Sequence, residues 1–228
     1  MAVQVGLFQH YYREILEATG LFIPVISQAL SHRLIQETVR EAFDAAELTH
    51  YAAIKDKPGF LSVLRDAFAE LRSALVQPQD FLEYTNNAPP ARRELAILYQ
   101  RFLNKLNKIG WTDSEGQSWL AIEALEREPA QASRFSLVIV DGFTAFTAAQ
   151  RQFLKLLSQQ AGEMLITLTG ERDSECAVHR RSRKVLEYLT ADLSPEIHDV
   201  SISQEGDATA PHPFLPQSVA TDIGFLYR

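Results

Sequence analysis

Asp141 is the residue best placed to do chemistry. It follows Leu137-Val-Ile-Val140, a short unbroken apolar run rich in β-branched residues, which predicts a parallel strand covered on both faces. The carboxyl end of such a strand is where open α/β sheets place ligands. A carboxylate there can hold Mg²⁺ through water, and an acid directly after it would orient the water that attacks a phosphoryl group. Here the next residue is Gly142, so one acid stands at the strand end and no second acid follows it. The same residues also read as an ordinary strand-turn-helix, with Asp141 and Thr147 capping backbone amides and Gly142 relieving a turn.

Other groups offer less. Asp173 and Glu175 read as paired metal carboxylates or as solvated turn charges, and with no histidine cluster beside them the second reading is preferred. His179-Arg180-Arg181-Ser182-Arg183-Lys184 is the one dense basic run. It suits contact with nucleic-acid phosphates, or a solvated helix face with Val178, Val185 and Leu189 turned inward. Arg92-Arg93 is a weaker version of the same signal. Phe8, Tyr11, Tyr12, Trp111 and Trp119 lack interleaved basic residues, so core packing is a better account of them than base stacking. No pair of histidines has His-x-x-x-His spacing, and no nucleophile motif stands out, so neither a metal site nor a catalytic residue is assigned. No Gly-x-x-x-x-Gly-Lys-Ser/Thr occurs, so this chain alone is not expected to bind ATP.

Composition narrows the class. The 228 residues are 46% hydrophobic, enough to bury a substantial core without staples. A net charge of -7 argues against a stand-alone, charge-driven nucleic-acid binder, so any DNA contact must come from a local patch. Cys176 is the single cysteine, which excludes an intrachain disulfide and any zinc or iron-sulfur site built on several cysteines. A reducing cytoplasm is the expected compartment. Gln9, His10 and Arg13 interrupt the N-terminal apolar residues, so neither signal peptide nor membrane span is expected.

The elements that must position Asp141 follow from periodicity. Val3 to Phe8 alternates like a strand and leads into a helix from Gln9 to Ala18, which Gly20 ends. Apolar spacing predicts helices from about Val25 to Ala46 and from Phe60 to Leu75, the second ended by Pro78. After the break at Asn86 to Pro90, helices run from Glu94 to Ile109 and from Gln117 to Glu128. Strands are predicted at Ser136 to Val140, Glu163 to Thr169 and Glu196 to Ser203. A helix from Ala148 to Gln160 joins the first two in a right-handed parallel crossover. The Pro-rich stretch Gly206 to Pro216 reads as a loose excursion. The expected fold class is therefore α/β, a parallel sheet with a large all-helical insertion. Residues 1–19 would begin the α/β core, 20–130 would form the helical subdomain and 131–228 would continue the core.

Asp141-Gly142-Phe143 with Gln150 resembles the second helicase motif of the UvrD/Rep family, with Gly142, Thr144 and Ala145 in place of its Glu, Gln and Asp. Thr169-Gly170-Glu171-Arg172-Asp173 sits where such motors carry a phosphate sensor, from which Glu171 and Ser174 depart. More specifically, Leu7-Phe8-Gln9-His10-Tyr11, Pro58-Gly59-Phe60, Glu94-Leu95-Ala-Ile-Leu98-Tyr99 and Asp113, in that order, resemble the B subunit of bacterial ATP-dependent helicase/deoxyribonucleases (AddB/RexB-like). The likeness covers most of residues 3 to 175. It implies a P-loop-helicase-like domain that lacks its P-loop and has lost hydrolysis, and a chain that is a segment of a longer polypeptide. It further implies a role in DNA double-strand-break repair, an A-subunit partner, and DNA in the full assembly. ATP, Mg²⁺ and an iron-sulfur cluster would belong to the parent and not to this segment. Two other classes stay open: a free-standing α/β hydrolase or phosphotransferase using Asp141 with Asp173, and a purely structural interaction module.

Overall fold

Gly6 helps set where the first helix begins. A Cβ there would stand 2.8 Å from His10 Nδ1, the atom that accepts the Leu7 N–H at 3.0 Å. In the computed structural model, which describes residues 3–170, 179–201 and 223–227, α1 runs Phe8–Ala18 and buries Phe8, Tyr12, Ile15 and Leu16. The strand expected over residues 3 to 8 is not formed. Val3 and Val5 are 88% and 93% exposed. No described strand pairs with them, and alternation alone does not hold a strand without a partner ladder.

Five more helices follow. Ser27 caps α2 (Gln28–Asp44) by accepting the Leu30 N–H. Proline opens α3 (Pro58–Ser73), α4 (Pro78–Tyr84) and α5 (Pro90–Ile109), at a position where its missing N–H has no intrahelical role. Pro78 therefore starts a helix and does not end one. α3 has already stopped at Ser73, with Leu75 in the left-handed region at φ 58°. Gly110 ends α5 at φ 69°, and Asp113 caps α6 (Ser114–Arg127), its carboxylate accepting the Gly116 N–H at 2.8 Å.

Contacts divide the chain into two units: residues 1–128 with 147–153, and residues 129–146 with 154–228. α1, expected to belong with the sheet, packs on α6 in the helical unit, where Phe8 and Tyr12 also meet Phe153 edge-on. The helical core is built from one apolar stripe each of α2, α3 and α5: Ile35, Leu64, Phe68, Leu98, Phe102 and Leu106 are all 2% exposed or less. Phe68 and Phe102 stack at 5.2 Å. Each such side chain contributes roughly 2 kcal/mol of transfer free energy.

The second unit is lighter. β1 (Val138–Val140) pairs in parallel with β2 (Met164–Ile166), and α7 (Ala148–Ser158) lies between them in sequence. The single strand expected over 163 to 169 breaks at Thr167. Its remainder, β3 (Leu168–Thr169), runs antiparallel to β5 (Ile223–Tyr227), which also takes β4 (Ile197–Ser201). β1 is not covered on both faces, because Leu137 is 43% and Ile139 is 59% exposed. Its one paired neighbour among the described residues is β2. α8 (Arg180–Leu193) buries Val185, Leu186 and Leu189. Val178 and the stretch from Gly206 to Pro216 lie outside the described residues. The architecture is thus α/β, mostly helical with a small parallel sheet. No helix among the described residues is long and apolar enough to cross a membrane.

Candidate functional site

Three β-branched residues in sequence, Val138, Ile139 and Val140, carry the chain in extended form to Asp141. The Val138 N–H donates to Glu163 O at 2.8 Å, and the Thr167 N–H donates to Val140 O at 2.9 Å. Those bonds bring Thr167 level with Asp141. Its hydroxyl donates to Asp141 Oδ1, so the exposed carboxylate has one oxygen committed to the neighbouring chain. Gly142 then turns at φ 78°, in the left-handed region. A Cβ at Gly142 would meet nothing within 4 Å, so alanine there would suffer from conformation and not from collision, at about 1 kcal/mol. Phe143 stacks on Phe146 at 5.5 Å.

Gln150 has a local task. Its side chain accepts the Thr147 N–H at 2.9 Å, and Thr147 Oγ1 accepts the Gln150 N–H at 3.2 Å. This is a reciprocal capping box at the start of α7, and its Thr-x-x-Gln signature is visible in the sequence. Asp141, Gly142 and Phe143 lie in the sheet-bearing unit, and Gln150 in the helical unit.

Gly170 is buried at the end of β3, and a Cβ there would stand 2.8 Å from that of Ser182. The Ser182 hydroxyl donates to Thr169 O at 2.6 Å, so the absence of a side chain at Gly170 lets α8 approach β3 closely. Glu171, Asp173 and Glu175 lie outside the described residues. On α8, Arg180, Arg181 and Lys184 are exposed and Arg183 is half-buried. Lys184 Nζ stands 5.8 Å from the Tyr188 ring centroid. The basic run is therefore one helical surface backed by the Val185 and Leu189 stripe. Arg92 and Arg93 are exposed in the first turn of α5.

The end of β1 offers few groups to a Mg²⁺-nucleotide. One carboxylate is present, one of its oxygens already accepts a hydroxyl, and the adjoining glycine supplies no acid. No group of three or more His, Cys, Asp or Glu stands within metal-holding distance among the described residues.

The more strongly built polar sites were not singled out by composition. Glu94, 3% exposed, accepts from Thr49 N at 2.8 Å, Thr49 Oγ1 at 2.9 Å, His50 N at 2.7 Å and Tyr51 N at 2.9 Å. Burial pushes its carboxyl pKa up, but the three backbone N–H donors and the hydroxyl together outweigh that and leave it lowered. Arg72, 7% exposed, pairs through Nε with Asp113 Oδ1 at 3.0 Å. Its guanidinium lies 5.0 Å from the Trp119 ring, and Trp119 Nε1 donates to Arg72 O at 2.6 Å. The available signal was position: Glu94 precedes Leu98 by four, and Arg72 follows Phe68 by four, so each charge lies on an apolar stripe. Trp119 is thus used in packing and capping, while Trp111 remains 39% exposed.

Known proteins are similar to this chain over part of their length. The B subunit of the ATP-dependent helicase/deoxyribonuclease of Exiguobacterium sibiricum is 30% identical over 151 residues, covering 64% of this chain and 13% of that protein. Its namesake in Alkaliphilus metalliredigens is 25% identical over 170 residues, covering 72% of this chain and 14% of the other. Exonuclease/helicase subunit RexB of Streptococcus pneumoniae serotype 4 is 25% identical over 170 residues, covering 71% and 15%. The chain therefore spans between 13% and 15% of the length of these curated relatives. Residues 1–200 match the family model described as ADDB, N-terminal. With that match covering most of its length, the chain belongs to the ADDB N-terminal family.

Proposed function

We propose that this chain is a non-catalytic, helicase-like segment of a helicase-nuclease B subunit that acts in DNA double-strand-break repair and recombination in the cytoplasm. It supplies scaffold, contacts to an A subunit, and a surface for single-stranded DNA on Arg180, Arg181, Arg183 and Lys184. In this reading the β1 and β2 strands derive from a P-loop-helicase-like sheet, and the helices before residue 130 from its inserted subdomain. The observation that supports it is the end of β1: an acid delivered to the ligand-binding edge, followed by a left-handed glycine where a motor has its second acid. Asp141, Gly142, Phe143 and Gln150 are then relics of a motor motif, and Gly170 and Glu171 relics of its sensor. ATP turnover, and any iron-sulfur cluster, belong elsewhere in the assembly.

The test is Mg²⁺-dependent ATP turnover by this chain and by its Gly142→Glu variant, together with the Asp141→Asn variant in the full two-subunit assembly. We expect no turnover by either isolated chain and unaltered turnover in the assembly. Turnover appearing in Gly142→Glu would overturn the reading. A loss of orders of magnitude with Asp141→Asn would favour a phosphotransferase using Asp141. Replacing the four basic residues of α8 by Gln should weaken single-stranded DNA binding by the assembly and flatten its salt dependence, since phosphate contacts release counterions.

A further inference from the structure

The helical unit has an open surface pocket of about 330 Å³ that none of the preceding roles uses, lined chiefly by Arg33, Gln36, Glu37, Arg40, Lys55 and Asp56. We propose that it is an oxyanion site which takes a phosphate group. It is independent of the α8 surface and of the motor-relic reading.

Spacing on α2 creates one wall. Arg33, Gln36, Glu37 and Arg40 are separated by three, four and seven positions, so they share one helical face. Lys55 faces the same pocket from the turn that follows Ala52–Ile54. Its stem is covered, leaving the side chain 25% exposed, and its ammonium is held 4.7 Å over the Phe43 ring. A lysine restrained in this way has already lost much of the rotamer freedom that an anion would otherwise have to remove.

Donor accounting then decides the sign of the ligand. Glu37 accepts from Arg33 Nε at 3.1 Å, leaving the remaining guanidinium N–H groups without a bond to a described residue. Asp56 accepts from Lys55 at 2.5 Å, which uses one of three ammonium protons. Arg40 makes no hydrogen bond with a described residue; its charge acts on the adjoining Glu41, which already accepts from Lys105, so its guanidinium donors stay open. Three cations face two carboxylates that are each already engaged, in a chain whose net charge is -7. A tetrahedral phosphate offers more acceptor oxygens than a carboxylate and so suits a pocket lined by cations from α2 and from the turn at Lys55. The volume leaves room for the group that carries the phosphate.

That chemistry has two sources, a free phosphate or the backbone of a nucleic-acid strand, and the experiment separates them. Titrate the 228-residue chain with inorganic pyrophosphate by calorimetry, and separately with fluorescein-labelled oligo(dT) by anisotropy. Use Arg40→Gln, Lys55→Gln and Glu37→Gln variants, with far-ultraviolet circular dichroism to verify folding. Arg40 is exposed, so its replacement should leave the fold intact. Arg40→Gln should weaken binding about five-fold or more, on the scale of one charge-assisted contact, and Lys55→Gln should do likewise. Glu37→Gln should tighten binding, because it frees Arg33; a merely structural ion pair would not produce that gain. Binding of pyrophosphate identifies a free-anion site, and binding of oligo(dT) without pyrophosphate identifies a strand site. Absence of binding to both, or binding unchanged by Arg40→Gln, overturns the proposal.

Discussion

The helical unit and the sheet-bearing unit solve the problem of a charged side chain in opposite ways. In the helical unit, Glu94 is buried and satisfied by four donors, Arg72 is buried against Asp113 Oδ1 at 3.0 Å, and two ion pairs reach α5, one from Glu41 of α2 to Lys105 at 2.6 Å and one from Glu47, just beyond α2, to Arg101 at 2.6 Å. In the sheet-bearing unit, Asp141 is exposed, and the one hydrogen-bond partner identified for it is a single hydroxyl. A buried carboxylate with four donors is a structural commitment that cannot be altered cheaply. An exposed one beside a glycine turn leaves the fold nearly indifferent to its identity. The difference teaches where to look for function: buried charge here reports architecture, and surface charge is free to be used by a partner.

The largest expected effect tests the first half of that contrast. Glu94→Ala should destabilise the helical unit by about 3 kcal/mol, because three backbone donors and a hydroxyl lose their acceptor. Both tryptophans, Trp111 and Trp119, belong to this unit, so tryptophan fluorescence during urea unfolding reads it selectively. An unchanged midpoint would mean that the loop at Thr49 to Tyr51 holds itself. The pH dependence has a definite sign. Glu94 has a folded pKa below its ordinary value, so its stabilisation is fully present above the ordinary carboxylate range and is lost as pH falls through the lowered folded value. Glu94→Gln should therefore remove part of the acid destabilisation seen in the parent chain.

The same contrast explains what could be read without coordinates. Five of the six helices before residue 130 were expected, within a few residues of their observed bounds, because their cores are stripes and a stripe is a local property. α4 was hidden because seven residues give too little periodicity, and because Pro78 signals a helix start as readily as a stop. The Leu137 to Val140 strand was legible as β from its branched residues, but not its exposure, which depends on what lies across the sheet. β5 was missed because its partners β3 and β4 come from distant sequence. At the candidate site, the turn at Gly142 and the cap at Thr147 were both readable. Thr167 was not, because only the parallel register brings it to Asp141.

Two glycines sharpen the comparison at intermediate size. A Cβ on Gly116 would lie 1.9 Å from Arg72 Nη2 and 2.1 Å from Thr112 Oγ1. Gly116→Ala should thus cost about 2 kcal/mol even though alanine is the better helix former, because it pushes on the buried Arg72–Asp113 pair. Gly142→Ala meets open space and should cost about 1 kcal/mol through backbone conformation alone. Fluorescence-detected unfolding should register the first, and amide exchange at Val138 and Thr167 the second. The comparison breaks if Gly142→Ala proves the more damaging, since the sheet-bearing unit would then depend on its turn more than the helical unit depends on its buried pair.

The smallest effect bears most directly on Asp141. Thr167→Val removes the hydroxyl that bonds Asp141 while keeping the branched shape that suits an extended chain. With Asp141 exposed, water can replace the lost donor, so the cost should be about 0.5 kcal/mol or less. Amide exchange at the Thr167 N–H, which donates to Val140 O in the parallel ladder, is the measurement to make. A change within that limit means the bond to the acid at the strand end is dispensable to the fold, as the relic proposal expects. A change several times larger would mean that Asp141 has been recruited to hold β1 against the chain after β2, and that its persistence needs no memory of phosphate chemistry at all.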